Sequence, residues 1–260
     1  MISVSMENTV FFGKDYASVY DACMHQIPYN SWADYTEDVL THFGIKGRSI
    51  LDLACGTGSL AIILARRGFF VTAIDCSSHM LKQLKRKLLT LELKNKIDIV
   101  NSRLSNFEVP LRYDCATCYF DSINYIIDSA ELAKTFRTIS KHLNAGGLFI
   151  FDINTVSGYR NGILARKGKC QLNSSTISYN FGGNFDPCSR IAKMQLRFCI
   201  KAHVTERNFH EVHLQRAYEY NEIEECLNKT WLKVIGFFKA FSFFPASATD
   251  ERWTFVTQKK

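Results

Sequence analysis

The sequence predicts an α/β fold, a mainly parallel sheet covered by helices on both faces and interrupted late in the chain by an antiparallel β insert. Three observations predict it. Strand-like and helix-like periods alternate between residues 48 and 155, as they do where right-handed crossovers build a parallel sheet. A turn carrying Gly56 and Gly58 joins the first of these strands to the first of these helices. From residue 156 to 216 the texture becomes short polar–apolar alternation, broken by Gly182-Gly183 and Asp186-Pro187, which is the pattern of half-exposed antiparallel strands.

Taken in order, Tyr16, Val19 and Tyr20, then Trp32, Tyr35, Val39 and Leu40, recur at helical spacing. They predict two helices between residues 15 and 43, divided by Pro28. Residues 49–54 form a short apolar strand. Residues 59–67 form a helix closed by Gly68, a residue suited to a left-handed cap. A second strand covers 70–75, and Ser77 or Ser78 caps a helix reaching Leu91. Strands follow at 97–101, 114–120 and 148–152, with a helix over 130–143 that ends in Asn144-Ala145-Gly146-Gly147. In the insert, strands are expected at 174–181, 190–200 and 203–214. A helix at 221–229 and strands at 231–244 and 252–257 complete the chain. The resulting division is a helical cap (1–47), a core (48–155 and 217–260) and a lid (156–216).

Composition narrows the class. Of 260 residues, 47% are apolar and 22% charged, which excludes wholesale disorder. No apolar run approaches the roughly 18 residues needed to cross a bilayer, and the first fourteen residues show no export pattern. Nine cysteines, an odd number at irregular spacing, fit a reduced cytoplasm better than a disulfide framework. Cys115-Ala-Thr-Cys118 lies in a strand, where residues three apart face opposite ways, so no metal site is expected there. The net charge of +7 sits entirely in residues 156–218, where ten basic residues meet three acidic ones. That segment presents either a solvated face or a field for an anionic partner.

The most informative stretch is Ile50-Leu51-Asp52-Leu53-Ala54-Cys55-Gly56-Thr57-Gly58. Its glycines let backbone approach a ligand, and the helix that follows offers free N–H groups. Asp75 ends the next strand, 17 residues after Gly58, where a carboxylate can accept both hydroxyls of a ribose. Gly56-x-Gly58-x-x-Ala61 also fits a dinucleotide fingerprint, so NAD is one candidate. Asp52, four residues before Gly56, would repel a pyrophosphate and suits an ammonium or sulfonium, which favours S-adenosylmethionine.

From Leu51 to Gly58, and on through Asp75-Cys76-Ser77-Ser78-His79-Met80-Leu81, the chain resembles the class I S-adenosylmethionine-dependent methyltransferases. The likeness continues through Tyr113-Asp114, Phe120-Asp121-Ser122-Ile123-Asn124-Tyr125 and Gly146-Gly147-Leu148-Phe149-Ile150-Phe151-Asp152 to the closing Glu251-Arg252-Trp253-Thr254-Phe255-Val256. It is nearest to the small-molecule branch, similar to glycine and amino-sugar N-methyltransferases, and implies a Rossmann-like sheet. It further implies that Ala54, Gly56 and Gly58 hold the methionine portion by backbone contacts and that Asp75 grips the ribose. Cys76 and Met80 would pack around ribose and adenine, Phe120 would lie beside the sulfonium, and Tyr20 would close over the cofactor. The family commonly receives the adenine amino group on an acidic residue after the third strand. Here Arg103 stands in that place; it is expected to stack on the ring while the backbone N–H of Leu104 reaches it.

Methyl transfer from a sulfonium needs alignment and a dry cavity more than a catalytic dyad. Asp121 and Asn124 follow the fourth strand and are candidates for orienting an amine or hydroxyl. Strand alternation puts Glu211, His213 and Gln215 on one face of the insert, and His213 is the candidate general base. Tyr29, Tyr125, Arg216 and Tyr218 are the expected acceptor-binding residues. The product would be S-adenosylhomocysteine, the partner a small methyl acceptor, and the assembly a monomer or homodimer. An RNA methyltransferase is the nearest rival, because the insert and the helix bearing Lys82, Lys85, Arg86 and Lys87 are basic. A non-catalytic S-adenosylmethionine-binding module is the alternative from another class.

Overall fold

The computed structural model describes residues 11–93, 95–202 and 205–260; residues 1–10 of the expected cap and His203 and Val204 of an expected lid strand lie outside these. Two helices, α1 (Lys14–Cys23) and α2 (Tyr29–His42), precede the sheet. The core then runs β1 (Ser49–Leu53), α3 (Ser59–Arg66), β2 (Phe70–Asp75), α4 (Ser78–Leu91), β3 (Ile97–Asn101), β4 (Tyr113–Cys118), α5 (Ser129–Lys141) and β5 (Leu143–Asn154). After the insert it closes with α7 (Tyr220–Asn228), β10 (Leu232–Lys239) and β11 (Arg252–Lys259). These strands form one seven-stranded sheet in the order β10-β11-β5-β4-β1-β2-β3. Strands β1 to β5 pair in parallel, while β11 is antiparallel to both β5 and β10. The order reverses between β1 and β4, and a crevice outside the carboxyl ends of such strands is where α/β sheets bind ligands.

Alternation along each strand sends neighbouring residues to opposite faces of this sheet. Ile50 and Cys115 pack with α2 and α3 on one face, whereas Leu51 and Cys118 pack with α5 and α7 on the other. The two cysteines of Cys115-x-x-Cys118 therefore face apart, and no metal-ligating cluster occurs among the described residues.

The insert holds a short helix, α6 (Val156–Arg160), and a separate antiparallel sheet of β6 (Arg166–Leu172), β7 (Ser175–Asp186), β8 (Ile191–Ala202) and β9 (Thr205–Arg216). One expectation is corrected here, and one strand, β6, was not expected. Gly182-Gly183 does not break β7: a Cβ on Gly183 would stand 2.4 Å from the carbonyl oxygen of Lys193, so the glycine permits strand contact and not a turn. β6 has no clear apolar alternation because Lys167 and Lys169 face outward, the inward Arg166 is itself polar, and Gly168 lies under the Tyr179 ring, whose hydroxyl is 2.5 Å from where a Cβ would sit. The inner face of this sheet packs on α1, with Tyr16, Tyr20 and Cys23 meeting Cys170, Ile177, Phe181 and Phe198. Helix α1 is thus held between the insert and Met80 of α4.

Candidate active site

Between Leu53 and Ser59 the backbone turns through left-handed conformations at Ala54 (φ 53°), Gly56 (φ 56°) and Gly58 (φ 75°). The turn is locked by Asp75, which accepts the Gly56 N–H at 2.8 Å and the Ser77 N–H at 2.7 Å. Ser77 in turn caps α4 by accepting the Met80 N–H, as its position predicted. A Cβ on Gly56 would meet nothing within 4 Å; it would project into the space that a ligand needs.

Beneath the turn, Asp52 is 3% exposed. Its Oδ1 accepts from Thr117 at 3.2 Å, but among the described residues its Oδ2 has no partner. Burial pushes this carboxyl up to about 7, with Asp75 adding to the rise. An unpaired buried acid is costly unless a cation or donor meets it. This one lines a cavity of about 950 Å³ that runs from the glycine turn to the underside of the insert.

The far side of the cavity is set by a second strained turn. Phe120 (φ 62°) and Asp121 (φ 52°) follow β4 in left-handed conformations, and such strain persists only where the surroundings over-determine it. Asp152, fully buried on β5, supplies that constraint by accepting the N–H of Phe120 at 2.7 Å and that of Asp121 at 3.1 Å. Its carboxyl is pushed up to about 6 by burial, against the opposing pull of Arg252. Arg252 bridges Asp152 and Asp121, each at 2.7 Å, and lies over the Phe120 ring. The remaining Asp121 oxygen accepts from Gln215 of β9 at 2.6 Å, and Gln215 accepts from Tyr159.

Of the residues expected to meet the cofactor, Tyr20, Ala54, Gly56 and Asp75 line the cavity, as do Cys76, Met80, Arg103, Leu104 and Phe120. Gly58 does not: a Cβ there would stand 2.3 Å from Leu84, so this glycine serves helix packing. Tyr29, Tyr125 and Asp121 also line the cavity. Four expectations on the acceptor side are corrected. Asn124 is fully buried, spends both amide hydrogens on the carbonyls of Asn154 and Arg216, and accepts the Asn154 N–H, so it has no donor left for a substrate. Arg216 turns away to the Ile127 carbonyl and Glu222. Tyr218 is buried and donates to the Ile126 carbonyl. His213 is fully buried with both ring nitrogens engaged, by Tyr125 and by Glu211 at 2.8 Å each, and does not border the cavity. Sequence reasoning missed Arg252, Asp152 and Glu211 as members of the site. Glu211 carried a signal, since it shares the strand face of His213 and Gln215, and Asp152 and Arg252 lie in segments that carry the resemblance.

A crevice at the sheet's reversal point, a carboxylate set after the glycine turn and an unpaired buried acid define a Rossmann-like protein built for a positively charged nucleoside. Comparison with known proteins agrees. The description "Methyltransferase domain" matches residues 50–147. The YqeM protein of Bacillus subtilis (strain 168), which carries a methyltransferase name, is 31% identical over 94% of this chain and 96% of its own. A crystallised S-adenosylmethionine-dependent methyltransferase from Clostridium acetobutylicum ATCC 824 is 28% identical, covers 94% of this chain and 98% of its own, and superposes with a TM-score of 0.81. The sugar N-methyltransferase KedS8 from Streptoalloteichus sp ATCC 53650 has the same fold at 17% identity, with a TM-score of 0.80 and 98% of each chain covered. The chain belongs to the class I S-adenosylmethionine-dependent methyltransferases. The residues fit that cofactor: Asp52 offers an orphaned acid to a cation, and Gly56 leaves a cradle that any side chain would fill.

Proposed function

We propose that this enzyme methylates a nitrogen or oxygen of a small polar molecule that carries a negative group. The observation that carries this reading is the cavity itself. At about 950 Å³ it stands at the top of the range for small-ligand sites, roughly 300–1,000 Å³, which gives room for a cofactor and a compact acceptor together. Its two ends also differ in charge. The glycine turn presents Asp52 and Asp75, whereas the insert presents Arg166. Among the described residues Arg166 has no carboxylate partner; its guanidinium meets the Met24 sulfur at 3.5 Å and lies 6.0 Å from the centre of the Tyr179 ring. An anionic group on the acceptor would satisfy it.

S-adenosylmethionine, when bound, supplies an electrophilic methyl group on sulfur. Asp75 would accept the ribose hydroxyls, Asp52 would face positive charge, and Met80, Cys76 and Leu104 would wall the nucleoside, with Arg103 at its edge. Phe120 would flank the sulfur, held there by Asp152 and Arg252. Tyr20, Tyr29 and the inner face of the insert would exclude water and align the acceptor, and alignment of two reactants is worth roughly 7–11 kcal/mol.

The test incubates the enzyme with methyl-labelled S-adenosylmethionine and either fractionated small metabolites or RNA. Label should enter a low-mass product that anion exchange retains, and Arg166→Gln should raise the acceptor KM at least about tenfold. Label in RNA, or in a neutral product, would overturn the reading.

A further inference from the structure

The polar chain behind Tyr125 is complete and leads away from the acceptor. Tyr125 borders the cavity, next to the Phe120–Asp121 turn, and its hydroxyl meets Nδ1 of His213 at 2.8 Å. Nε2 of His213 meets Oε2 of Glu211 at 2.8 Å. Glu211 also accepts the N–H of Phe12 at 2.9 Å and that of Gly13 at 2.8 Å. A carboxylate that already accepts two N–H groups can only accept from the imidazole, so Nε2 carries the hydrogen. In that tautomer Nδ1 is an acceptor, and the Tyr125 hydroxyl donates to it. The rings of Phe11, Phe12 and Tyr16 lie 5.2, 4.9 and 6.1 Å from the imidazole and exclude water from it. Besides Glu211 and Tyr125, the titratable groups nearest this chain are Tyr16 on α1, Asp121 and Tyr159.

We propose that Tyr125 takes the proton of the methyl acceptor and relays one to His213, whose charge Glu211 then balances. The inference rests on the small-acceptor reading above. As the nucleophile's lone pair forms a bond to the methyl carbon, the carbon–sulfur bond breaks and leaves its pair on sulfur. The nucleophile's proton passes to Oη of Tyr125, the phenol's own proton passes to Nδ1 of His213, and Glu211 holds the imidazolium. Tyr125 is the catalytic residue, while His213 and Glu211 are positioning residues that act through it. Because Glu211 also binds the backbone of Phe12 and Gly13, the relay is complete only while the segment before α1 is docked.

Two measurements test it. In protein labelled with ¹⁵N-histidine, His213 should give the Nε2–H tautomer with a hydrogen-bonded Nδ1, and Tyr125→Phe should shift the Nδ1 resonance while the affinity for S-adenosylhomocysteine stays within about threefold. The opposite tautomer, or an Nδ1 resonance unmoved by Tyr125→Phe, would overturn the relay. With the accepting metabolite fraction, Tyr125→Phe should lower kcat by about 10²–10⁴-fold, leaving the acceptor KM within about threefold. Tyr125→Phe with His213→Gln should lose no more than the worse single variant, because groups that act as one unit are not additive. Full kcat in Tyr125→Phe, or additive losses, would equally overturn it. Failure of the wild-type chain to bind S-adenosylhomocysteine, or label that enters RNA, would count against the proposed function, whereas the tautomer measurement reads the hydrogen bonds of the relay independently of either.

Discussion

The glycine-turn end of the cavity and the insert end treat their polar groups in opposite ways. At the first, Asp52 keeps an oxygen without a partner and Gly56 opens onto empty space. At the second, Asp121, Gln215, Arg252 and Asp152 are bonded to one another, and Glu211, His213 and Tyr125 form a second closed chain. Apart from Arg166, which meets only the Met24 sulfur and the Tyr179 ring, the polar groups named at the insert end satisfy one another, whereas the glycine turn keeps an acceptor open. The contrast separates binding from shaping: substitutions at the glycine turn should act on cofactor affinity, and substitutions in the bonded networks on stability or turnover.

The sharpest way to break this contrast is Gly56→Val. A β-branched residue there adopts a left-handed backbone at a cost of roughly 1–3 kcal/mol and also fills the cradle. Affinity for S-adenosylhomocysteine, read by calorimetry, should fall about 100-fold or more, with little change in fold by circular dichroism. Asn124→Ala is its counterpart. It strands the Asn154 N–H and two carbonyls in a fully buried position, at roughly 1–3 kcal/mol for each group left unsatisfied. Denaturant unfolding should show a loss of about 3 kcal/mol, and the folded fraction should retain its S-adenosylhomocysteine affinity.

A pH series sharpens the comparison further. The Asp52 carboxyl stands near 7 in the ligand-free chain, against an ordinary value of 3.8. Its folded value is raised, so its contribution to stability is present below the ordinary value and is lost as pH rises through about 7. A cationic ligand reverses the preference, because it favours the ionised acid. Affinity for S-adenosylmethionine should therefore fall about fivefold between pH 7 and pH 6, and Asp52→Asn should flatten that slope. Arg103→Ala should have the smallest effect. An exposed cation over a ring contributes about 0.5–1 kcal/mol, so S-adenosylhomocysteine affinity should drop about two- to fivefold.

Much of the cofactor end was legible because it is local in the chain. The strand before Ala54, the glycine turn, the cap at Ser77 and the carboxylate at Asp75 all fall between Ser49 and Ser77, and their roles follow from backbone conformation and helix ends. Gly58 was the exception, because what it touches is Leu84 on another helix. The acceptor end was poorly legible for the converse reason. Asp121 meets Arg252 and Gln215, and Tyr125 meets His213, all across 88 to 131 residues of sequence.

The amino-acid order alone determined the alternating sheet, the turn that cradles a charged nucleoside, and the strand face shared by Glu211, His213 and Gln215. Periodicity and turn chemistry are properties of neighbours along the chain. Which polar groups stay free for a ligand was decided only by the packed structure. A side chain such as Asn124 or His213 is available or consumed according to the distant partners that folding brings within hydrogen-bond reach, and no local pattern records them.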